Sequence, residues 1–225
     1  MIQNNRFVNK SLRLKNYDYN LPCAYFVTIC EPNRKCIFGE VVDEKMVLNE
    51  YGKVAETCLL EIPKHFKNTE TPEFVVMPNH VHAIITIYDD FFIEKKDVGG
   101  KINLADRTVG GRHDLEKGIV GQRYIFDLQK TKRKYAKLSV VVSTYKAAVT
   151  RAINRSNSNS GFKWQTSFHD HIIRTERALE NIADYIRLNP ARWNVDLENE
   201  NYRSGISRKE REKLSKEFYS ELLKP

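Results

Sequence analysis

The chain has 225 residues, 41% hydrophobic and 29% charged, a composition in the globular range and a length that can enclose one substantial core with appendages, or two small ones. The formal net charge of +8 at pH 7 favours a polyanionic partner such as nucleic acid, and the absence of any run of eighteen apolar residues excludes a membrane-spanning segment. Four cysteines, Cys23, Cys30, Cys36 and Cys58, contain no C-x-x-C pair, which excludes a zinc knuckle and a disulfide framework and leaves free thiols suited to a reducing compartment.

Residues 1–21 are polar and basic, with no apolar core of signal-peptide length, and are expected to form a basic leader on a cytoplasmic protein. Tyr25 to Cys30 is β-branched and aromatic, Cys36 to Val42 is similar, and turn residues from Glu31 to Arg34 lie between them, so the two runs form either a hairpin or one long bent strand. From Asn49 to Phe66, Val54, Cys58, Leu59 and Ile62 recur at the three- and four-residue spacing of an amphipathic helix, with Pro63 bending or shortening its end. Glu73 to Met77 and His80 to Tyr88 are strand candidates joined by a tight Pro78-Asn79 turn.

Residues 89–136 lose periodicity and collect glycines among charges, which predicts an inserted flexible loop. Leu138 to Asn154 opens like a strand but continues at helical spacing through Val142, Tyr145, Val149 and Ile153, which favours a helix. Phe162 to Arg174 is expected as a strand and Arg177 to Asn189 as a helix stopped by Pro190. Residues 194–225 form a charged tail with a helix candidate from Ser204 to Leu223, suited equally to a plain surface helix, a lid over a site or a nucleic-acid clamp. Without the insertion the order is β-α-β-β-α-β-α, the pattern of an α+β, ferredoxin-like antiparallel sheet with helices packed on one face.

The residues with chemistry lie in two places. Because side chains alternate along a strand, His80 and His82 point to one face while Val81, Ala83, Ile85 and Ile87 point to the other. Two neutral imidazoles at this spacing can share a divalent ion; strand histidines satisfied by local hydrogen bonds would look the same. On the last predicted helix, Tyr185 and Asn189 stand at i and i+4 and share a face, offering a nucleophile and an amide oxygen, although a core tyrosine and a helix-ending asparagine have the same spacing. His169-Asp170-His171 repeats the spacing with a charged middle residue, and suits an outer-shell or DNA contact more than a ligand pair. Lys130, Lys132, Arg133, Lys134 and Lys137 cluster beside Tyr135, a pattern that suits a groove tracking a phosphate backbone and equally a solvated surface. Tyr145 is assigned to packing, and Lys146 and Arg151 are further candidates for phosphate contact.

Met77-Pro78-Asn79-His80-Val81-His82 with its apolar strand, followed about a hundred residues later by Tyr185-Ile186-Arg187-Leu188-Asn189-Pro190, resembles the REP-associated tyrosine transposases. These belong to the single-tyrosine branch of the HUH endonucleases, where U is a bulky apolar residue, here Val81. The resemblance spans roughly residues 22–193 and draws further on Tyr25 to Cys30, Arg34 to Glu40, Lys146 to Asn154 and Trp164 to Arg174. It implies the HUH endonuclease fold over 22–193, with 89–136 as an insertion. It also implies magnesium or manganese held by His80, His82 and Asn189, and Tyr185 as nucleophile toward single-stranded DNA beside a hairpin. The expected product is a 5′-phosphotyrosyl link and a free 3′-hydroxyl, formed without a nucleotide cofactor because the covalent link keeps the energy of the broken bond. No second tyrosine lies within a turn of Tyr185, which separates the chain from two-tyrosine rolling-circle relatives, and the Asn189-Pro190 pair favours the REP-associated branch. That branch is compatible with a monomer; insertion-sequence relatives are often dimers. Two other functions remain open on the residues: a non-catalytic DNA or RNA hairpin-binding module, and a metal-dependent nuclease using water.

Overall fold

The structure, a computed structural model, describes residues 17, 21–88, 138–157 and 160–224. Most of the leader, the 89–136 segment, and Lys130, Lys132, Arg133 and Lys134 lie outside the described residues.

In chain order the elements are β1 (Cys23–Cys30), β2 (Gly39–Val42), β3 (Lys45–Leu48), α1 (Glu50–Leu60), α2 (Ile62–His65), β4 (Thr69–Glu70), β5 (Phe74–Val76) and β6 (His80–Ile87). There follow α3 (Leu138–Ser156), β7 (His169–Ile173), α4 (Glu176–Leu188), a 3₁₀ turn (Pro190–Val195), α5 (Glu200–Ser204) and α6 (Arg208–Leu222). The main sheet has the order β4-β6-β1-β7, with β5 also paired to β6, and every pairing is antiparallel. The fold class is therefore α+β, with the strand arrangement of a ferredoxin-like sheet, as the element order implies.

Alternation along β1 and β6 divides the molecule. Tyr25, Val27 and Ile29 share one face with Val81, Ala83, Ile85 and Ile87, and that face packs on Ala55 and Leu59 of α1 and on Val141, Val142, Tyr145, Val149 and Ile153 of α3. Phe26 and Ile84 point the other way and pack with Ile173 against Ala178, Ile182 and Ile186 of α4 and Leu222 of α6. Each fully buried isoleucine on α4 contributes about 1.5–3 kcal/mol of transfer free energy, enough to seat the helix against the sheet. The helices expected on one face divide: α1 and α3 share one, whereas α4, with α6, covers the opposite face, the one that carries His80 and His82, because Ile182 and Ile186 pack with Phe26 and Ile84 there. That face is closed to solvent: both histidines are buried.

Local departures from the sequence expectations have physical causes. Cys36 to Val42 does not pair with β1; only Gly39–Val42 is strand, and it pairs with β3 through Asp43 and Glu44, both at positive φ (47° and 61°). Two left-handed residues match the twist of a two-residue hairpin, but without an Asn-Gly or Asp-Gly signal the turn is hidden in the sequence. The Asn49–Phe66 helix is broken into α1 and α2 with Pro63 in the first turn of α2, where a missing N–H costs nothing. Of the Phe162–Arg174 strand only His169–Ile173 pairs; Phe162 and Trp164 instead pack at 5.8 and 5.1 Å from Phe38 as a buried aromatic plug, and Gln165 N–H donates to the Cys30 carbonyl at 2.9 Å.

Gly52 shows how tightly the β2-β3 hairpin sits on α1. A Cβ there would meet the Phe38 carbonyl oxygen at 2.1 Å and Leu48 Cδ2 at 2.8 Å. Alanine adds about 1 kcal/mol of helix propensity, but overpacking against backbone costs about 1–3 kcal/mol or more. Gly52→Ala is therefore expected to lower stability, read as a lower urea midpoint at unchanged slope.

Candidate metal and nucleophile site

His80 and His82 occupy the start of β6, with ring centroids 4.4 Å apart and exposures of 0% and 2%. Two neighbours orient them. Asn79, itself fully buried, donates through Nδ2 to the carbonyls of Arg34 (3.0 Å) and Glu198 (2.8 Å), so its Oδ1 is the acceptor facing His80 Nδ1 at 2.8 Å. His80 Nδ1 thus carries the proton, and Nε2 presents a lone pair that is buried without a hydrogen-bond partner. Thr28 lies directly across from His82 in the β1-β6 register, its Oγ1 2.9 Å from His82 Nδ1. The other ring nitrogen, His82 Nε2, is 3.1 Å from the Tyr185 hydroxyl.

Tyr185 and Asn189 do share a face of α4, and the helix is fixed at its N-terminus by Thr175, which accepts from Ala178 N–H at 3.1 Å. Tyr185 is wedged edge-on against Phe26 at 5.9 Å and tilted on Phe218 of α6 at 4.8 Å. Asn189 is the C-cap residue, 0% exposed; its Nδ2 donates to Asp196 Oδ2 at 3.0 Å, and its Oδ1 is buried with no partner. Pro190 begins the 3₁₀ turn that brings Asp196 back under Asn189. One donor atom from each of His80, His82 and Asp196 falls within 4.8 Å of the others, all three residues being buried.

The residues fit a divalent ion. Two buried acceptors without partners, His80 Nε2 and Asn189 Oδ1, are otherwise an unrecovered desolvation cost of about 1–3 kcal/mol each. Burial, with Arg34 adding positive charge, pushes the His80 pKa from its ordinary 6.5 down to about 3. Burial and then His80 lower His82 well below the same value, so both imidazoles are neutral, the ligand form. The Tyr185 hydroxyl is raised well above its ordinary value, first by burial and then by the Asp196 carboxylate, and is a protonated phenol at neutral pH.

These shifts have a stability consequence. The unfolded chain protonates His80 near 6.5 while the folded protein resists to about 3. A depressed folded pKa contributes stability that is present above the unfolded value and lost as pH falls. In a chelating buffer the thermal midpoint is expected to fall as pH drops from about 6.5 toward about 3; a flat profile between pH 7 and 5 would contradict buried, neutral histidines.

The site also includes residues without a sequence assignment. Thr28, Asn79 and Asp196 were not anticipated; only Asn79, inside the Pro-Asn-His motif, carried a signal, because Asp196 sits in a charged stretch and Thr28 in an apolar strand. Asn79→Ala should weaken manganese binding about 10–100-fold, the usual effect of losing a group that orients a ligand histidine, with the affinity measured by isothermal titration. His169 and His171 point to the same sheet face as His82 by register, and His171 stacks on Tyr219 of α6 at 3.9 Å, but neither belongs to the donor cluster. Of the three roles open to the tail, α6 covers the site: Phe218 and Tyr219 pack over Tyr185 and His171.

Lys146 and Arg151 are not brought to this site. Both stand on α3, across the sheet from the histidines; Lys146 Nζ donates to the carbonyls of Gln165 (2.5 Å) and Thr166 (3.1 Å), and Arg151 is exposed near Cys58. Tyr145 is core, 3% exposed, with its hydroxyl donating to the Ala55 carbonyl at 3.3 Å. The four cysteines are free, and among the described residues no helix is long and apolar enough to cross a membrane.

No protein-family model matches the chain. It is 34% identical over 187 residues to an uncharacterized protein of Haemophilus influenzae, covering 83% of this chain and 91% of that one. Among solved structures it is similar to a REP-associated tyrosine transposase bound to a REP hairpin, with a TM-score of 0.44 and 15% identity over 81% of this chain and 74% of that one. It is also similar to a candidate transposase from Deinococcus radiodurans, with a TM-score of 0.36 and 14% identity over 79% of this chain and 96% of that one. The chain belongs to one family with the Haemophilus influenzae protein.

Proposed function

We propose that the chain is a transposase-like DNA transesterase of the cytoplasm that cuts and rejoins single-stranded DNA at or beside a hairpin, with Tyr185 as nucleophile and His80, His82 and Asn189 as ligands of magnesium or manganese. The observation that carries this reading is the Tyr185 hydroxyl 3.1 Å from His82 Nε2, beside two buried acceptors, His80 Nε2 and Asn189 Oδ1, that lack partners. A strand histidine satisfied by local hydrogen bonds would have a partner at Nε2. The motif resemblance supplies the substrate class, and the net charge of +8 suits a nucleic acid.

A bound divalent ion would withdraw charge from a non-bridging phosphate oxygen and so ease attack by an anionic nucleophile. The chain's own residues supply the rest. Asn79 and Thr28 fix the two imidazoles, Phe26 and Phe218 hold the phenol ring, and α4 carries Tyr185 and Asn189 on one face. Attack of Tyr185 Oη on phosphorus, with loss of the phenol proton, gives a 5′-phosphotyrosine, and the 3′-oxygen leaves and takes up one proton as a hydroxyl. The same hydroxyl, or another, reverses the step, so joining requires no nucleotide cofactor. Tyr185 meets a histidine of its own chain, which supports a monomer that supplies its own nucleophile.

The test is incubation with 5′- and 3′-labelled hairpin oligonucleotides and manganese, followed by denaturing electrophoresis. A label that migrates with the protein after boiling supports the transesterase. Metal-dependent cleavage without an adduct would replace it with a hydrolase using water, and binding without cleavage would replace it with a hairpin-binding module.

A further inference from the structure

We propose that Asp196 is a metal ligand, the one anionic donor of the centre, so that the ion is held by His80, His82, Asn189 and Asp196; the inference rests on the metal-site reading above. Three observations support it independently of the sequence motifs.

The first is position. Donors on opposite sides of one ion, at bond lengths of about 2.0–2.2 Å, stand about 4 Å apart. The donor atoms of His80, His82 and Asp196 lie within 4.8 Å of one another, which small side-chain movements close. The second is charge. His80, His82 and Asn189 are neutral ligands, and a divalent cation among neutral groups in a buried site lacks compensation. Asp196 is 8% exposed, and among the described residues it forms no ion pair. A buried carboxylate and a buried cation each remove the cost of burying the other, and carboxylate oxygen suits magnesium and manganese.

The third is orientation. Asp196 Oδ1 accepts from Glu198 N–H at 2.6 Å and Oδ2 from Asn189 Nδ2 at 3.0 Å. A carboxylate has about four lone-pair positions, so two remain. The second of these bonds also holds the Asn189 amide by its nitrogen and leaves Oδ1, the ligand atom, as the free end. The 3₁₀ turn begun by Pro190 thus sets an oxygen donor before it, on Asn189, beside one after it, on Asp196.

The alternative is that Asp196 only positions Asn189. Manganese affinity, measured by isothermal titration and by the loss of free-ion electron paramagnetic resonance signal, separates the two when combined with a change of donor. Asp196→Asn keeps the size and a hydrogen-bonding oxygen but removes the charge, and manganese affinity should fall more than about 100-fold, beyond the range for an orienting group. Asp196→Cys offers a soft donor in place of a hard one. It should bind cadmium with an ultraviolet thiolate-to-cadmium band in excess of any given by the four native thiols of the unaltered protein, and that excess should disappear with His80→Ala in the same background. Both variants should stay folded in chelator, checked by circular dichroism. His80→Ala is the control for the centre itself. If it abolishes manganese binding while Asp196→Asn binds normally and Asp196→Cys shows no excess band, the Asp196 assignment is overturned and the metal site stands. If His80→Ala binds manganese as well as the unaltered protein does, the metal-site reading falls.

Discussion

Tyr185→Phe is expected to remain folded, to bind hairpin DNA and manganese as the unaltered protein does, and to form no covalent DNA adduct, with cleavage reduced at least about 1,000-fold. Loss of a covalent nucleophile removes the reaction path rather than weakening it, so the effect should be on the scale seen when a catalytic nucleophile is deleted, about 10⁴–10⁶ in rate. The ring contacts with Phe26 and Phe218 do not involve the hydroxyl, so phenylalanine keeps them. The hydroxyl's hydrogen bond to His82 is lost, and a net hydrogen bond is worth about 0.5–1.5 kcal/mol. That bond would in any case yield to a metal on His82 Nε2, so its loss should cost stability only in chelator. The comparison is made by denaturing electrophoresis of labelled oligonucleotides alongside a urea melt. A variant that still cleaves, with free 5′-phosphate ends, would show that water and not Tyr185 is the nucleophile.

His80→Ala should abolish manganese binding at concentrations that saturate the unaltered protein, and cleavage with it, while narrowing the fall in thermal midpoint that the unaltered protein shows in chelator between pH 7.5 and pH 5. The affinity loss follows from removing a ligand whose supporting group alone is worth about 10–100-fold. The smaller pH dependence follows from the sign of the pKa shift: the folded site resists the proton that the unfolded chain accepts near 6.5, so at pH 5 His80 opposes folding. Alanine removes that penalty but leaves a cavity, which costs about 2–5 kcal/mol for a large core side chain. The informative quantity is therefore the difference in midpoint between pH 7.5 and pH 5, which should shrink in the variant whatever its absolute stability. Scanning calorimetry at the two pH values measures it directly.

The cover that α6 forms over Tyr185 gives these experiments a structural setting. Phe218 and Tyr219 reach across to the tyrosine and to His171, yet Leu222 is the buried residue of the helix, and its remaining side chains are mostly exposed and charged. A helix held by so little apolar burial opens at low free-energy cost, which is compatible with a substrate that must reach a hydroxyl now enclosed.

The amino-acid sequence alone determined the elements whose signal is local. The strand character of Tyr25 to Cys30, the alternation from His80 to Ile87, the helical stripe of α3 and the Tyr185-Asn189 spacing on α4 follow from chain geometry, and each is present. The order of these elements sufficed for an α+β antiparallel sheet, but not for the division of its helices between two faces. The paired histidines, the tyrosine and the asparagine were legible because their types and spacings recur in a known motif. Tertiary structure decided what depends on residues far apart. Whether the histidine face was open or closed turned on α4 and α6, which pack there by apolar contacts no periodicity can assign to a surface. The hairpin of β2 and β3 turned on two left-handed residues without glycine, and the aromatic plug of Phe162 and Trp164 on a space that Phe38 leaves at the end of the sheet. That Lys146 and Arg151 stand across the sheet from the histidines was decided by packing, because charge is visible in sequence while the side of the sheet is not. Asp196 reached the site only because the turn begun by Pro190 folds back on Asn189, and hydrogen bonds between loop residues leave no periodic trace.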